Sequence, residues 1–224
     1  MSFVVTVDGP AGAGKSSVAR RLSSSVGLRY LDTGAIYRAI ALTLDRMGIP
    51  PEDTDALKGA LTNIKVELRD DGISANGADV SLDIRTPRVD AIVSAYSALG
   101  CVRKALLGFQ RDQARYGSLI AEGRDVGSAV FPDAPLKFFL TASPEARARR
   151  RCLERERRGE RISYEEVLAG IKERDRLDSE REISPLRCPE DAVLVDTSDM
   201  TEDDVTAYLE ERIRSAMLKG DAGA

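Results

Sequence analysis

The sequence predicts an α/β fold in which a parallel sheet of five strands is flanked by helices. Two observations support this prediction. Five short apolar runs alternate with longer segments whose apolar residues recur at helical spacing; the runs span residues 3–7, 28–31, 118–121, 136–140 and 192–195. A glycine-rich turn joins the first run to the first helix, and the run at 28–31 then closes a β-α-β unit.

The glycine-rich turn fits the pattern G-x-x-x-x-G-K-[ST] between Gly9 and Ser16. Its glycines allow the backbone N–H groups to approach a phosphate, Lys15 would reach the β- and γ-phosphates, and the Ser16 hydroxyl would bind Mg²⁺. A chance match is expected less than roughly once in a hundred chains of this length. We therefore predict a three-layer P-loop fold with these ATP-binding residues: Gly9, Pro10, Ala11, Gly12, Ala13, Gly14, Lys15, Ser16 and Ser17.

Composition excludes several classes of function. The 224 residues can bury a full core, and the net charge of −4 disfavours binding of a nucleic-acid polymer. The chain has no histidine, so histidine acid–base catalysis and histidine metal sites are excluded. No apolar run is long enough to span a bilayer, and no signal sequence precedes the first strand. We expect a cytoplasmic protein without a membrane partner.

The next helix is predicted to begin at Asp32-Thr33-Gly34 and to end before Gly48. Arg38 falls near its start, where a positive charge opposes the helix dipole, so an anion is one explanation and a solvated surface charge is the other. Two hairpin signals in residues 63–83 then predict a small inserted antiparallel meander. Thr86-Pro87 predicts a capped helix start, and a further helix is expected from about Cys101.

The run at 118–121 leads into Glu122-Gly123-Arg124-Asp125-Val126-Gly127. This arrangement places Arg124 and Asp125 at the carboxyl edge of the predicted sheet, where ligands bind in open α/β folds. The alternative is a surface turn with a local ion pair.

Residues 147–161 contain eight arginines, which repel one another unless anions are close. Such a segment suits the lid of a phosphoryl-transfer enzyme, although interleaved glutamates also permit a merely solvated helix. The arginines are Arg147, Arg149, Arg150, Arg151, Arg155, Arg157, Arg158 and Arg161.

A capping box is predicted at Ser163 and Glu166, and a second N-terminal cap at Thr201 and Asp204. One face of the helix that follows Ser163 begins apolar and ends with Arg174, Asp178 and Arg181. This pattern indicates a site facing inward, with an exposed ion pair as the simpler alternative.

Taken together, these residues resemble the bacterial cytidylate kinase family of nucleoside monophosphate kinases over nearly the whole chain. The most diagnostic stretches are Asp32-Thr33-Gly34-Ala35-Ile36-Tyr37-Arg38, the Glu122-Gly123-Arg124-Asp125-Val126-Gly127 turn, and Glu173-Arg174-Asp175 with Asp178 and Arg181. The meander is similar to this family's enlargement of its monophosphate-binding domain. Thr33 stands where serine is common, and Ser128-Ala129 replace the more usual Thr-Val.

The resemblance implies reversible transfer of the γ-phosphoryl group of MgATP to CMP or dCMP. It assigns the phosphate of CMP to Arg38, Arg124 and Arg174, the cytosine to Thr33, Arg103 and Asp125, and the ribose to Ser94, Asp178 and Arg181. Lys15, Arg147, Arg150 and Arg151 are the predicted catalytic residues, with Mg²⁺ on Ser16. We expect a monomer acting on small molecules.

The resemblance also implies a division into domains. A P-loop core is expected from residues 1–33, 98–146 and 183–224, a monophosphate-binding domain from 34–97, and a lid with its following helix from 147–182. Two alternatives stay open. One is another small-molecule P-loop kinase acting on UMP, AMP or a non-nucleotide acceptor. The other is a nucleotide-dependent switch, which is disfavoured because neither Asn63 nor Asn76 lies in an Asn-Lys-x-Asp type motif.

Overall fold

The computed structural model describes residues 2–69, 72–157, 159–160 and 163–221, with the side chains of residues 220 and 221 left out. The strands within these ranges are β1 Val4–Asp8, β2 Arg29–Asp32, β3 Val66–Arg69, β4 Gly72–Ala75, β5 Ala78–Asp79, β6 Leu119–Glu122, β7 Leu136–Thr141 and β8 Val193–Asp196. The α-helices are α1 Lys15–Val26, α2 Thr33–Arg46, α3 Asp55–Asn63, α4 Pro87–Ala98, α5 Gly100–Asp112, α6 Pro144–Arg157, α7 Tyr164–Glu180 and α8 Glu202–Asp221.

The chain divides into two compact units, residues 1–31 with 113–224, and residues 32–112. The sheet to which the first unit contributes is parallel and has the strand order β2-β6-β1-β7-β8. Val7 of β1 lies opposite Glu122 of β6 on one side and Phe138 of β7 on the other. The carboxyl ends of these strands therefore share one edge, as the sequence predicts for an α/β fold of this class.

The core of the first unit is formed by the sheet and by the apolar faces of α1 and α8. Leu22 of α1, Phe138 of β7 and Leu209 of α8 are essentially inaccessible to solvent within one cluster. These side chains recur at helical and strand spacing in the sequence. The apolar pattern from which the helices and strands are predicted therefore also forms the core. This core buries β1, the strand that leads into the glycine-rich turn.

The second unit contains the predicted meander, an antiparallel sheet in the order β3-β4-β5. Its second turn uses Asn76 and Gly77, both with positive φ, as the hairpin signal predicts. Asp71 of the first turn lies outside the described residues. The apolar face of α2 forms part of the buried interior of this unit, with Ile36, Ile40 and Leu44 inaccessible.

Most predicted helix starts are confirmed, and one cap is wrong. The Ser163–Glu166 capping box is complete, and Thr201 and Asp204 bond each other's backbone N–H groups at the start of α8. Thr86 precedes α4 as predicted, but its hydroxyl makes no cap and instead donates to the carbonyl oxygen of Asp83. The 3₁₀ turn before α4 supplies that acceptor, which the sequence pattern does not reveal.

Gly9 is required by a close approach at the end of β1. Its φ is 143°, and a Cβ there would lie 1.9 Å from the carbonyl oxygen of Leu140. Any side chain would therefore push the start of the glycine-rich turn away from β7.

Within the described ranges, no single helix is long and apolar enough to cross a membrane. The sharply bent pair of helices 87–98 and 100–116 passes that test by length and composition only.

Candidate active site

The glycine-rich turn ends where α1 begins. Lys15 and Ser16 are the first two residues of α1, and Gly14 precedes them with a φ of 85°. In this fully described helix, no side chain caps the N-terminus and no acidic residue lies in the first turn. The first N–H groups of α1 and its dipole are therefore suited to an anion.

Lys15 is buried, and its ammonium group donates a 2.7 Å hydrogen bond to the carbonyl oxygen of Pro10. The pKa of Lys15 is lowered to about 7, first by burial and then by the neighbouring positive charges of Arg124 and Arg174, against the opposing effect of Glu122 and Asp8. Three cationic groups of the first unit thus act on one another. Such a cluster is stabilised when polyanions bind.

Glu122 ends β6 and is buried beside the first turn of α1. Its Oε1 atom accepts hydrogen bonds from the Ser16 hydroxyl and, at 2.9 Å, from the Tyr30 hydroxyl. A serine hydroxyl next to a carboxylate supplies the hard oxygen ligands that Mg²⁺ prefers, with phosphate oxygens and water completing the octahedron. These residues therefore fit a magnesium ion.

The turn that follows β6, residues 123–127, is here called the acceptor turn. Arg124 donates to Asp178 of α7 at 3.0 Å, and Arg181 lies 3.3 Å from Asp125. Burial by itself would raise the pKa of Asp178, but Arg124 and the other nearby arginines lower it below its ordinary value. The structure therefore brings four residues of the predicted site together in two buried charge pairs.

Asp8, the last residue of β1, holds the far end of the acceptor turn. Its two carboxylate oxygens accept the backbone N–H groups of Val126 at 2.8 Å and Gly127 at 2.7 Å. Burial raises the pKa of Asp8 to about 6, although the two backbone hydrogen bonds act in the opposite direction. Within this net shift the charge of Asp125 acts to raise the pKa of Asp8, and the charge of Lys15 acts to lower it.

This raised pKa predicts a pH dependence of stability. Between about pH 4 and 6 the folded chain keeps a proton on Asp8 that the unfolded chain has lost, so this carboxyl favours folding most below pH 4 and its contribution is lost as the pH rises through 6. The free energy of unfolding of the wild type, minus that of Asp8→Asn, should fall by on the order of 3 kcal/mol from about pH 4 to 7. Urea unfolding of both proteins across this range measures the difference, and parallel curves would contradict the prediction.

Arg147 lies beneath the glycine-rich turn and is almost fully buried. It makes a two-pronged ion pair with Asp175 of α7, at 2.6 and 2.9 Å, and donates to the carbonyl oxygens of Ala11 and Ala142. Its guanidinium therefore links α7, the glycine-rich turn and the end of β7. A direct contact of Arg147 with the transferring phosphoryl group stays a prediction.

The other predicted catalytic arginines have different surroundings. Arg150 donates to the hydroxyl and carbonyl oxygens of Thr197 and borders a cavity of about 80 Å³ beside Ala13 and Gly14. Arg151 is one-third exposed and pairs with Glu154 at 3.0 Å. Of the remaining arginines of the segment, Arg158 and Arg161 lie outside the described residues.

In the second unit, Arg38 of α2 is paired with a carboxylate of the protein itself. Its guanidinium pairs with Asp90 of α4 at 2.6 Å and donates to the carbonyl oxygen of Ile84. The structure thus answers the question raised by an arginine near a helix start, since a carboxylate of α4 lies against it. Ser94 follows Asp90 by one helical turn and is half-buried.

Two further predicted residues of this unit are buried. Thr33 is the first residue of α2, behind the cap that Asp32 makes with the N–H of Ala35. Arg103 of α5 stacks 5.3 Å from the ring centre of Tyr37 and donates to the carbonyl oxygen of Ser97. The Arg103 side chain is thus held by neighbours of its own unit.

Sequence reasoning left Asp8, Glu122 and Asp175 out of the predicted site. Asp8 and Glu122 are each the polar residue that ends a buried strand at the carboxyl edge of the sheet, and that position is a usable signal. Asp175 follows Arg174 directly but lies outside the helical stripe that drew attention to its neighbour. Its pairing with Arg147 depends on how α6 and α7 pack.

The chain is similar to known proteins over nearly its whole length. A family model described as cytidylate kinase matches residues 5–215. The cytidylate kinase of Mycobacterium avium (strain 104) is 50% identical over 216 residues, covering 94% of this chain and 95% of that protein. The cytidylate kinase of Geobacter sp. (strain M21) is 43% identical over 224 residues, with 98% and 96% covered.

A solved structure of an uncharacterized protein from Eubacterium ventriosum ATCC 27560 has a TM-score of 0.52 at 13% identity, over 96% of this chain and 99% of that one. That likeness supports the fold alone. The family match and the relatives together decide the class: the chain belongs to the cytidylate kinase family of nucleoside monophosphate kinases and is an ATP-dependent kinase.

Proposed function

We propose that the protein transfers the γ-phosphoryl group of MgATP reversibly to CMP and dCMP, giving ADP with CDP or dCDP. The observation that carries the proposal is the group of like charges formed by Lys15, Arg124 and Arg174. Burial of Lys15 and then the charges of the two arginines lower the pKa of Lys15 to about 7. A binding site for two polyanions is the simplest reason for a fold to gather cations in this way.

ATP would bind through the glycine-rich turn and α1. The uncapped N–H groups of α1 and the ammonium group of Lys15 would hold its β- and γ-phosphates. The cavity beside Ala13 and Gly14, bordered by Arg150 and Met200, is where the nucleoside part would begin. Ser16 and Glu122 would hold Mg²⁺, which when bound neutralises charge on the phosphates.

CMP would bind with its phosphate on Arg38, Arg124 and Arg174. Asp125 would accept the exocyclic amine of cytosine, with Thr33 and Arg103 as further base contacts. Uracil presents a carbonyl oxygen at the same position, so one acceptor would face another and UMP would be disfavoured. Ser94, Asp178 and Arg181 would lie near the ribose.

The reaction needs no general base. A phosphate oxygen of CMP, ionised at neutral pH, attacks the γ-phosphorus, and the bond from that phosphorus to the β–γ bridging oxygen breaks with its electron pair leaving on ADP. The protein's part is to place the two nucleotides in line and to neutralise the charge that collects between them. The lack of histidine therefore costs the mechanism nothing.

In this proposal the three predicted catalytic arginines of α6 have different roles. Arg147 supports the glycine-rich turn from below, since Asp175 and the Ala11 carbonyl hold its guanidinium. Arg150 borders the cavity in which the nucleoside of ATP would begin. Arg151, one-third exposed, is the remaining candidate for contact with the transferring phosphoryl group when this arginine-rich lid closes.

The test is ADP formation from MgATP with CMP, dCMP, UMP and AMP offered separately. We expect turnover that strongly favours CMP and dCMP. Comparable turnover with UMP or AMP would contradict the role of Asp125 as base reader but leave the phosphate site intact. No turnover with any acceptor would contradict the proposed reaction and favour a nucleotide-binding role.

A further inference from the structure

The acceptor turn is fastened to β1 at both of its ends. At its start, the N–H of Gly123 donates to the carbonyl oxygen of Val7 at 3.1 Å. At its end, the N–H groups of Val126 and Gly127 donate to the carboxylate of Asp8. Arg124 and Asp125 therefore lie between two attachments to consecutive residues of one strand, and the residue that follows this strand, Gly9, begins the glycine-rich turn.

We infer that Asp8 is a positioning residue for the phosphoryl acceptor, because it sets Arg124 and Asp125 at a fixed distance from the glycine-rich turn. This inference rests on the proposed function, in which these two residues bind CMP. Asp8 needs no contact with either nucleotide for this role. It acts through the backbone, by holding the acceptor turn in register with the strand that carries the phosphate cradle.

The space around Gly127 is too small for a side chain, so the position of the acceptor turn on the sheet is tightly constrained. A Cβ on Gly127 would lie 2.6 Å from the Thr6 hydroxyl oxygen and 3.3 Å from both the Asp8 carboxylate and the Lys137 side chain. The turn therefore sits directly on the sheet, and a substituent of one methyl group would lift it off. Lys137 is itself fixed by the carbonyl oxygen of Pro132 and by Asp191.

A carboxylate is the side chain that suits this position. Both N–H groups of the turn point at it, and an ionised carboxylate offers an acceptor oxygen to each. An amide of the same shape has one oxygen and one NH₂ group, so in Asp8→Asn one N–H of the turn would face another donor. The charged groups near Asp8 are Asp125 and Lys15, and the Cys188 thiol is also close.

The experiment compares the kinetics of the full chain with those of Asp8→Asn, Gly127→Ala and a control. Loss of a charge-assisted hydrogen bond should raise the KM for CMP about 10- to 100-fold in Asp8→Asn. The KM for ATP should stay within about threefold, because the glycine-rich turn and α1 keep their own bonds. Asp203→Asn is the matched control, since it makes the same change in an exposed pair with Arg21 and should alter neither constant.

Gly127→Ala should disturb the same two hydrogen bonds by displacing the backbone that donates them. It should therefore also raise the KM for CMP selectively. The double variant should show less than the product of the two single effects, because both remove one interaction. If Asp8→Asn does not fold, as judged by circular dichroism, Gly127→Ala carries the test. Failure of both variants to fold would overturn the inference, because Asp8 would then serve the stability of the fold.

Equal changes in the KM values for CMP and ATP, or no change in either, would also overturn it. The kinetics of the wild type distinguish a failure of the proposed function from a failure of the inference about Asp8. A wild type that does not use CMP contradicts the proposed function, whereas a wild type that uses CMP with variants that show no selective effect contradicts this inference alone.

Discussion

Replacement of Lys15 by methionine is expected to lower the rate of ADP formation on the order of 10³-fold. Methionine keeps most of the length of the side chain and its fit in a buried position but removes the ammonium group. That group is the one positive charge of the glycine-rich turn, and in the structure it is held by the carbonyl oxygen of Pro10. Charge that develops on the transferring phosphoryl group would then lack the ammonium group that we propose neutralises it.

Steady-state assays with CMP measure this effect, and equilibrium titration with a non-hydrolysable ATP analogue separates it from binding. We expect the analogue still to bind, because the N–H groups of α1 are unchanged. Lys58→Met is the matched control, since Lys58 is half-exposed and pairs with Asp53 at 2.8 Å far along the chain in the second unit. A Lys15→Met rate within about tenfold of the wild type would contradict the assigned role.

Replacement of Arg124 by alanine should reduce kcat/KM for CMP on the order of 10²-fold while ATP binding stays nearly intact. Two effects add. The variant loses a guanidinium from the proposed phosphate site, and it removes the 3.0 Å hydrogen bond to Asp178, whose side chain is only 6% exposed. A buried carboxylate that loses such a partner becomes costly to keep ionised.

Arg124→Lys should recover part of the loss, because lysine restores the charge but lacks the planar guanidinium that can bind a phosphate through two N–H groups. Arg176→Ala is the control on the neighbouring helix. Its guanidinium is half-exposed and, within the described residues, pairs with Glu173 and Glu180 of its own helix, so CMP kinetics should not change. Normal CMP kinetics in Arg124→Ala would refute its place in the acceptor site.

The alternation of apolar runs with helical segments predicted the parallel sheet, and the hairpin signals predicted the meander. Both are confirmed, because strand and helix periodicity and turn chemistry act within a few residues of the chain. The Ser163–Glu166 capping box was likewise predicted from local sequence and is confirmed. The Thr86 cap was wrong because its acceptor, the Asp83 carbonyl, is offered by a turn that no motif predicts.

Charge partners were harder to predict than elements. An arginine near the start of α2 indicated an anion, but only the packing of α2 against α4 identified Asp90 as the carboxylate that binds Arg38. The arginine-rich segment indicated a phosphate lid as a whole. It did not reveal that Arg147 would be buried under the glycine-rich turn and paired with Asp175.

The sequence by itself determined the phosphate cradle, the order of the strands and helices along the chain, and the family, since these depend on local pattern and on motifs of fixed spacing. Only the tertiary structure decided which charges meet and which backbone groups a carboxylate holds. Asp8 and Gly127 are 119 residues apart in the chain, and nothing local to either residue encodes their hydrogen bond. It exists because β1 and β6 are neighbours in the sheet, so the residues that follow their ends arrive at the same edge.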